Sequence, residues 1–254
     1  MEIVEGENSG CILSKTLKTE FHVSTAMQIA LAINNEAISV AQESKVEDKK
    51  LTYTYKLNVN EGDVASIYKF GSYVSSLNYK NEDLNAASLS NVKNANELGF
   101  RELLNTQIKA WADIWKTADI VIEGDAQAQQ DVHSMLYHLY SFVRPGSNLS
   151  PSPMGLSGLG YNGHVFWDTE LWMYPPLLLL QPEMAKSMIQ YRFDRLNAAK
   201  RNAFNHGFKG AMFPWESAGS GVEETPVWAL SGPFEHHITA CVGFAAWNYY
   251  LVTQ

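Results

Sequence analysis

Two acidic residues lie inside a strongly apolar stretch of the chain, residues 160–180 (GYNGHVFWDTELWMYPPLLLL). Asp168 and Glu170 are flanked there by Trp167 and Trp172. An indole ring can pack against the C–H face of a sugar, while an ionised carboxylate accepts hydrogen bonds from neighbouring hydroxyl groups. A glycosidase also needs two carboxyl groups, one on each side of the scissile bond. The stretch is therefore typical of carbohydrate chemistry.

Each of these residues also has a purely structural interpretation. Asp168 could cap the helix that WDTELWM predicts, because an acidic side chain stabilises a helix N-terminus. Glu170 falls in the first turn of that helix, which favours a capping or surface role more strongly. Trp167 and Trp215 could belong to the core, since large aromatic side chains are usually buried. We therefore favour Asp168 as the site residue and interpret Glu170 as a helix cap or a supporting residue.

Long loops rich in Gly, Pro, Trp and acidic residues, at 144–168 and 205–233, separate the predicted helices. Such loops on a rigid scaffold are where binding groups usually lie. Two further clusters of charged, histidine and tryptophan residues lie in the second of these loops and in the residues that follow it. They contain Lys209, Trp215, Glu216, Glu223 and Glu224 in residues 207–228, and Glu235, His236 and His237 in residues 231–239.

Other chemistries find weaker support. Glu235, His236 and His237, with His164 and His206, could bind zinc in principle, but the chain has no His-x-x-x-His helix motif and no Cys pair. GLSGLG lacks the spacing of a serine nucleophile elbow, and its glycines follow no predicted strand, which argues against a nucleotide fold. We therefore expect no metal and no cofactor.

The composition of the chain limits the kinds of molecule that it can be expected to bind. The 254 residues are 46% hydrophobic with a net charge of -8, and no basic cluster is present, so nucleic acid is not expected as a partner. No apolar run reaches the roughly 20 residues that span a bilayer, and the first residues resemble no secretory signal. With two cysteines, Cys11 and Cys241, a disulfide framework is excluded. We predict two buried thiols, and a single bridge between them is the alternative.

The period of the apolar residues changes along the chain. Alternation at every second position predicts antiparallel strands in residues 21–33, 51–59 and 64–70. Helical spacing follows in residues 94–118, 126–143, 182–204 and 235–252. The last predicted helix runs almost to Gln254, so we expect the chain to be part of a longer protein.

Four segments, residues 111–139, 152–175, 191–218 and 223–226, resemble glycoside hydrolase family 65 in order and spacing. That family contains maltose, trehalose and kojibiose phosphorylases, acid trehalase and glucosylgalactosyl-hydroxylysine glucosidase. The resemblance covers about residues 100–254. It implies an N-terminal antiparallel β-sandwich portion followed by the first part of an all-α (α/α)6 barrel. The implied division is sandwich at 1–80, helical linker at 81–118 and barrel at 119–254.

The resemblance also implies an inverting reaction on an α-glucosyl disaccharide or glycoconjugate. Trp167 and Asp168 would hold the nonreducing glucose, and neighbouring loops would add further contacts. The family's general acid would be a Glu beyond Gln254, so no catalytic residue is assigned within this chain. The resemblance also makes a homodimer an expectation, while the sequence leaves the compartment open between cytoplasm and periplasm. The implied substrate-binding residues are Trp167, Asp168, Trp215, Glu216, Glu235 and His237.

One difference from the family's phosphorylases bears on whether water or phosphate is the nucleophile. Phosphorylases of the family typically have PWRT where this chain has Pro214-Trp215-Glu216-Ser217. A carboxylate in place of a cation repels phosphate, which favours hydrolysis. The alternatives are a phosphorylase, for which inorganic phosphate would be the second substrate, and a noncatalytic carbohydrate-binding protein.

Overall fold

The computed structural model describes residues 1–17, 19–156, 158 and 160–254. These residues divide into two compact units, Met1–Ala112 and Asp113–Gln254. The first unit carries the strands and the second carries most of the helices.

The strands of the first unit pair antiparallel throughout. The long central strand β3 pairs with β2 on one side and β7 on the other, and β1 extends the sheet beyond β2. Asn34 and Asn35 join β3 to β4 and both have positive φ, as a two-residue hairpin turn requires. β5 and β6 form a separate hairpin. The strands are β1 (Glu2–Glu5), β2 (Ser9–Lys15), β3 (His22–Ile33), β4 (Glu36–Ile38), β5 (Gln42–Glu47), β6 (Lys50–Tyr55) and β7 (Ala65–Ser75).

A long helix, α1 (Leu84–Trp115), packs its first half against the sheet. Val92 joins Cys11, Ala26 and Phe70 in a buried apolar cluster, and the Ser24 and Ser88 hydroxyls meet at 2.8 Å. The helix is kinked at Gly99, whose φ of 79° suits glycine. The face of β3 that the helix covers carries Ser24 and Ala26. The apolar alternation in residues 21–33 therefore predicted the strand, but its larger side chains, at odd-numbered positions, lie on the other face and are mostly only partly buried.

The second unit contains α2 (Ala126–Phe142), α3 (Tyr174–Leu180), α4 (Pro182–Asp194), α5 (Leu196–Asn205) and α6 (His237–Thr253). The single helix predicted over 182–204 is two helices, because the backbone leaves the helical region at Arg195. A π-helix, Thr169–Met173, begins directly after Asp168 and leads into α3. Cys241 on α6 and Cys11 on β2 are both buried and free, which confirms the interpretation of the cysteines.

A buried ion pair fixes the π-helix in the core of this unit. Arg192 Nε donates to Glu170 Oε1 at 2.7 Å, and Arg192 Nη2 donates to Glu170 Oε2 at 2.8 Å and to the Phe166 carbonyl at 3.2 Å. Both side chains are only 2% exposed. Burial alone lowers the pKa of Arg192, but the charge and hydrogen bonds of Glu170 raise it above its ordinary value. Glu170 therefore neither caps the helix nor lies on the surface.

We predict that Arg192→Met destabilises the protein by about 3–5 kcal/mol, because it leaves the Glu170 carboxylate buried without a partner. Urea denaturation measures the change. The exposed Arg201→Met is the matched control and should change stability by less than about 0.5 kcal/mol. The double variant Glu170→Leu/Arg192→Met should recover most of the loss, and equal stability of all three variants would contradict the assigned role.

Candidate functional site

A cavity of about 360 Å³ opens in the second unit beside the π-helix. Its volume lies in the lower part of the range of small-molecule sites. Aromatic rings and two carboxylates dominate its wall. The lining residues are Pro153, Tyr161, Phe166, Trp167, Asp168, Trp215 and Glu235.

Short extended segments bring these residues together. Val165 and Ser217 exchange two backbone hydrogen bonds of 2.9 Å, and Ser217 forms a second antiparallel bridge with Glu223. The Tyr191 hydroxyl on α4 lies 2.9 Å from Ser217 Oγ and donates to the Ala218 carbonyl at 2.8 Å. The two segments that carry Trp167–Asp168 and Trp215 are therefore joined by backbone pairing and anchored to a helix.

Asp168 occupies the N-cap position of the π-helix, but its side chain makes no capping hydrogen bond. The carboxylate is partly exposed and lines the cavity instead. The capping role considered from the sequence is therefore not realised at Asp168. An ionised carboxylate without a capping bond keeps its acceptor positions for hydroxyl groups that enter the cavity.

Trp167 contributes to the core and to the cavity at once. It packs against the buried cluster formed by Ala199, Phe213, Ile238 and Val242, and it also lines the cavity. Its ring meets the His237 ring edge-on, with centroids 4.9 Å apart. His237 Nδ1 lies 3.8 Å from Glu235 Oε2, so the ring connects Trp167 to the second carboxylate of the cavity wall.

Trp215 is held from three directions. Its ring packs edge-to-face on Phe166, with centroids 5.0 Å apart at an interplanar angle of 84°. A Cβ placed on Gly232 would lie 2.8 Å from Trp215 Cε3, so glycine is required where this loop crosses the indole. Glu223 holds the backbone of Trp215, as described below.

Glu216, the neighbour of Trp215, is not among the residues that line the cavity. It is 3% exposed, and its Oε1 accepts a hydrogen bond of 2.7 Å from His164 Nδ1. Four of the six residues implied for substrate binding thus line one cavity, His237 contacts two of them, and Glu216 pairs in the interior. Contact of any of the six with a substrate stays a prediction.

The cavity also depends on residues outside the six that were implied for substrate binding. Tyr161 and Phe166 belong to its aromatic wall, and Glu223 supports it from behind. Glu223 Oε2 accepts from the Trp215 backbone N–H at 2.9 Å, and Oε1 accepts from the Glu216 N–H at 3.1 Å. The N–H and the hydroxyl of Thr225 also donate to Glu223 Oε1, at 3.2 and 2.5 Å. The sequence placed Glu223 and Glu224 together, in the loop cluster of residues 207–228 and in the motif EETP, and did not distinguish one from the other.

Within the described ranges, no three His, Cys, Asp or Glu side chains come together as a metal-binding group. None of the described helices is both long enough and apolar enough to cross a membrane.

We predict that Glu223→Gln lowers stability by about 2 kcal/mol, because an amide nitrogen replaces one of two oxygens that accept four hydrogen bonds. The adjacent Glu224→Gln is the control, since its side chain accepts none of these bonds, and it should change stability by less than about 0.5 kcal/mol. Thermal unfolding monitored by tryptophan fluorescence distinguishes the two variants. Equal unfolding curves would contradict the supporting role of Glu223.

Comparison with known proteins identifies the family. The sequence model of the Glycosyl hydrolase family 65 N-terminal domain matches residues 2–114, and that of the family's central catalytic domain matches residues 133–254. The two matches together leave out only residues 1 and 115–132.

Individual relatives agree with this assignment. The chain is 55% identical to a kojibiose hydrolase of Mucilaginibacter mallensis over 87% of its own length and 33% of the relative. It is 57% identical to a kojibiose hydrolase of Flavobacterium johnsoniae over 79% of its length and 29% of the relative. A kojibiose phosphorylase of Caldanaerobacter subterraneus subsp. tengcongensis is 44% identical over 61% of this chain and 22% of that protein. The chain thus spans about a third of the length of the hydrolases that it matches.

The fold agrees as well. A solved structure of a kojibiose phosphorylase candidate from the human microbiome superposes with a TM-score of 0.84 over 98% of this chain and 32% of that one, at 22% identity. The predicted fold class, antiparallel sheet followed by the start of a helical barrel, is confirmed. With both domain matches and the shared fold, this chain belongs to glycosyl hydrolase family 65.

Proposed function

We propose that the protein carrying this chain hydrolyses a terminal α-glucosyl residue from a disaccharide or glycoconjugate, with inversion at the anomeric carbon. The observation that carries this proposal is the composition of the cavity, which Asp168 lines together with Trp167, Trp215 and Glu235. The Asp168 side chain makes no capping hydrogen bond to the π-helix. Aromatic rings beside ionised acceptors match a sugar, whose C–H faces are apolar and whose rim carries hydroxyl donors.

We assign the nonreducing glucose to this cavity. Asp168 accepts hydrogen bonds from adjacent hydroxyls, and Trp167 supplies an apolar surface that the core holds in place. The family resemblance assigns the proton donor to a glutamate outside this chain. The attacking water must then approach from the opposite face, which separates the two reacting carboxyl groups by about 6.5–9.5 Å in an inverting glycosidase.

The relatives support a substrate class for the proposed hydrolysis. The hydrolases of Mucilaginibacter mallensis and Flavobacterium johnsoniae are kojibiose hydrolases, and we propose an α-linked glucosyl disaccharide of the kojibiose type for this protein. We retain the sequence-based division into residues 1–80, 81–118 and 119–254 as a proposal for its domains. The homodimer and the cytoplasmic or periplasmic location also stay predictions.

Phosphorolysis is the second candidate, because a kojibiose phosphorylase shares 44% of its residues over the matched region. The sequence suggested that the Glu216 carboxylate would repel phosphate, but the structure weakens this argument. Glu216 is buried against His164 rather than exposed in the cavity wall, so it does not face an incoming phosphate there. The preference for water therefore rests on the similarity to the two hydrolases.

Product analysis separates these candidates. The full-length protein is incubated with kojibiose in the presence and absence of inorganic phosphate. We expect β-glucose to form at the same rate in both reactions, because inversion of an α-glucoside by water gives the β-anomer. Strict dependence on phosphate, with β-glucose 1-phosphate as product, would establish phosphorolysis instead.

We predict that Asp168→Asn in the full-length protein lowers turnover of kojibiose by at least about 10²-fold while leaving thermal stability unchanged. The amide removes the ionised acceptor but breaks no hydrogen bond of the fold, because the Asp168 side chain makes no capping bond. The exposed Asp194→Asn on α4 is the control and should retain activity. Normal turnover by the Asp168 variant would refute the assignment of the cavity.

A further inference from the structure

Tyr161 adopts a backbone conformation that tyrosine rarely adopts. Tyr161, Asn162 and Gly163 have φ of 54°, 54° and 72° in succession, and the His164 N–H closes the turn on the Tyr161 carbonyl at 2.9 Å. Asparagine and glycine tolerate the left-handed region, whereas a bulky residue is strained in it. The local backbone therefore favours glycine at residue 161, and the chain carries a large aromatic ring there instead.

That ring belongs to the cavity. Tyr161 lines the cavity and packs edge-to-face on Phe166, with ring centroids 4.9 Å apart. Phe166 is 3% exposed and also packs edge-to-face with Trp215, with ring centroids 5.0 Å apart. One buried phenyl ring thus braces two rings that both line the cavity. Tyr161, Phe166 and Trp215 therefore form one connected aromatic wall of the cavity.

Tyr161 is the most exposed aromatic residue of this wall. It is 50% exposed, whereas Trp167 and Trp215 are more buried. Burial in the fold therefore does not account for the ring, since half of its surface is left in water. Strained residues are retained where the surrounding structure and its function require them, and an exposed ring at the entrance of a sugar site offers an apolar face to a sugar that lies outside the deeper glucose.

We propose that Tyr161 contacts the leaving sugar, the second ring of the disaccharide, by packing its aromatic face against the C–H face of that sugar. This inference rests on the proposed function and names a residue that determines specificity for the group beyond the scissile bond. The phenol hydroxyl is not required. The strained turn serves to place the ring at the cavity mouth.

The test compares two substrates that share the glucosyl group. Kojibiose has a second sugar, whereas α-glucosyl fluoride has only a fluoride leaving group. In the full-length protein, Tyr161→Leu keeps apolar bulk against Phe166 but removes the aromatic face. We expect its KM for kojibiose to rise about tenfold, with the kinetics of α-glucosyl fluoride unchanged within about twofold. Tyr161→Phe keeps the aromatic face and should reverse most of the rise in the KM for kojibiose that Tyr161→Leu causes.

Asn162→Gly is the matched control, because it changes the same turn without changing the cavity wall, and it should leave both substrates unaffected. Thermal unfolding of each variant verifies the fold. Equal loss on both substrates by Tyr161→Leu, or no loss on either, would overturn the inference. Asp168→Asn is measured in parallel. If that variant loses activity on both substrates while Tyr161→Leu behaves as the parent, the role of Tyr161 fails and the proposed function stands; if Asp168→Asn is fully active, the proposed function fails.

Discussion

The buried pair between Glu170 and Arg192 is the interaction on which the rest of the site depends. A charge in the interior is tolerated only when its partner satisfies it with good geometry, and here both oxygens of the carboxylate are bound by one guanidinium. The same guanidinium also holds the Phe166 carbonyl. Arg192 therefore fixes the chain on both sides of Trp167 and Asp168. Trp167 and Asp168, the two residues proposed to bind glucose, lie between these two anchored points. Contacts in the core therefore determine their positions.

Two carboxylates separated by a single residue consequently serve opposite purposes. Glu170 turns inward to an arginine, while Asp168 remains at the cavity without a capping bond. The π-helix that starts at Thr169 accommodates this difference, because Thr169 and Glu170 are buried immediately after a partly exposed residue. π-Helical turns are uncommon and are frequently found at functional sites. The acidic residues in this apolar stretch are thus explained separately, one by the core and one by the cavity.

The sequence predicted what depends on local pattern. The alternation in β3 and β7 and the helical spacing in α1, α2 and α6 correspond to observed elements. Short strands such as β1 and β4 have too few residues to show a period, and the break at Arg195 leaves the apolar spacing intact. For Glu170 the sequence left two interpretations, a helix cap or a supporting residue. The cap is wrong, and the sequence could not decide between the two because the partner of Glu170 lies 22 residues away on another helix. The sequence did not single out Tyr161, because its proposed role depends on the left-handed turn at residues 161–163, and no pattern of residue types predicted that turn.

The close approach of Gly232 to Trp215 has a consequence for how this site can change. A single β-carbon at residue 232 would meet the indole and the Thr225 methyl group within 3 Å. The segment that leads to Glu235 and the segment that carries Trp215 are two parts of the same loop, residues 205–233, and they pack together too closely to admit a side chain at residue 232. Neither part of the loop can be remodelled alone, so a protein engineer who wishes to enlarge the cavity must redesign both parts together or start from the half-exposed ring of Tyr161.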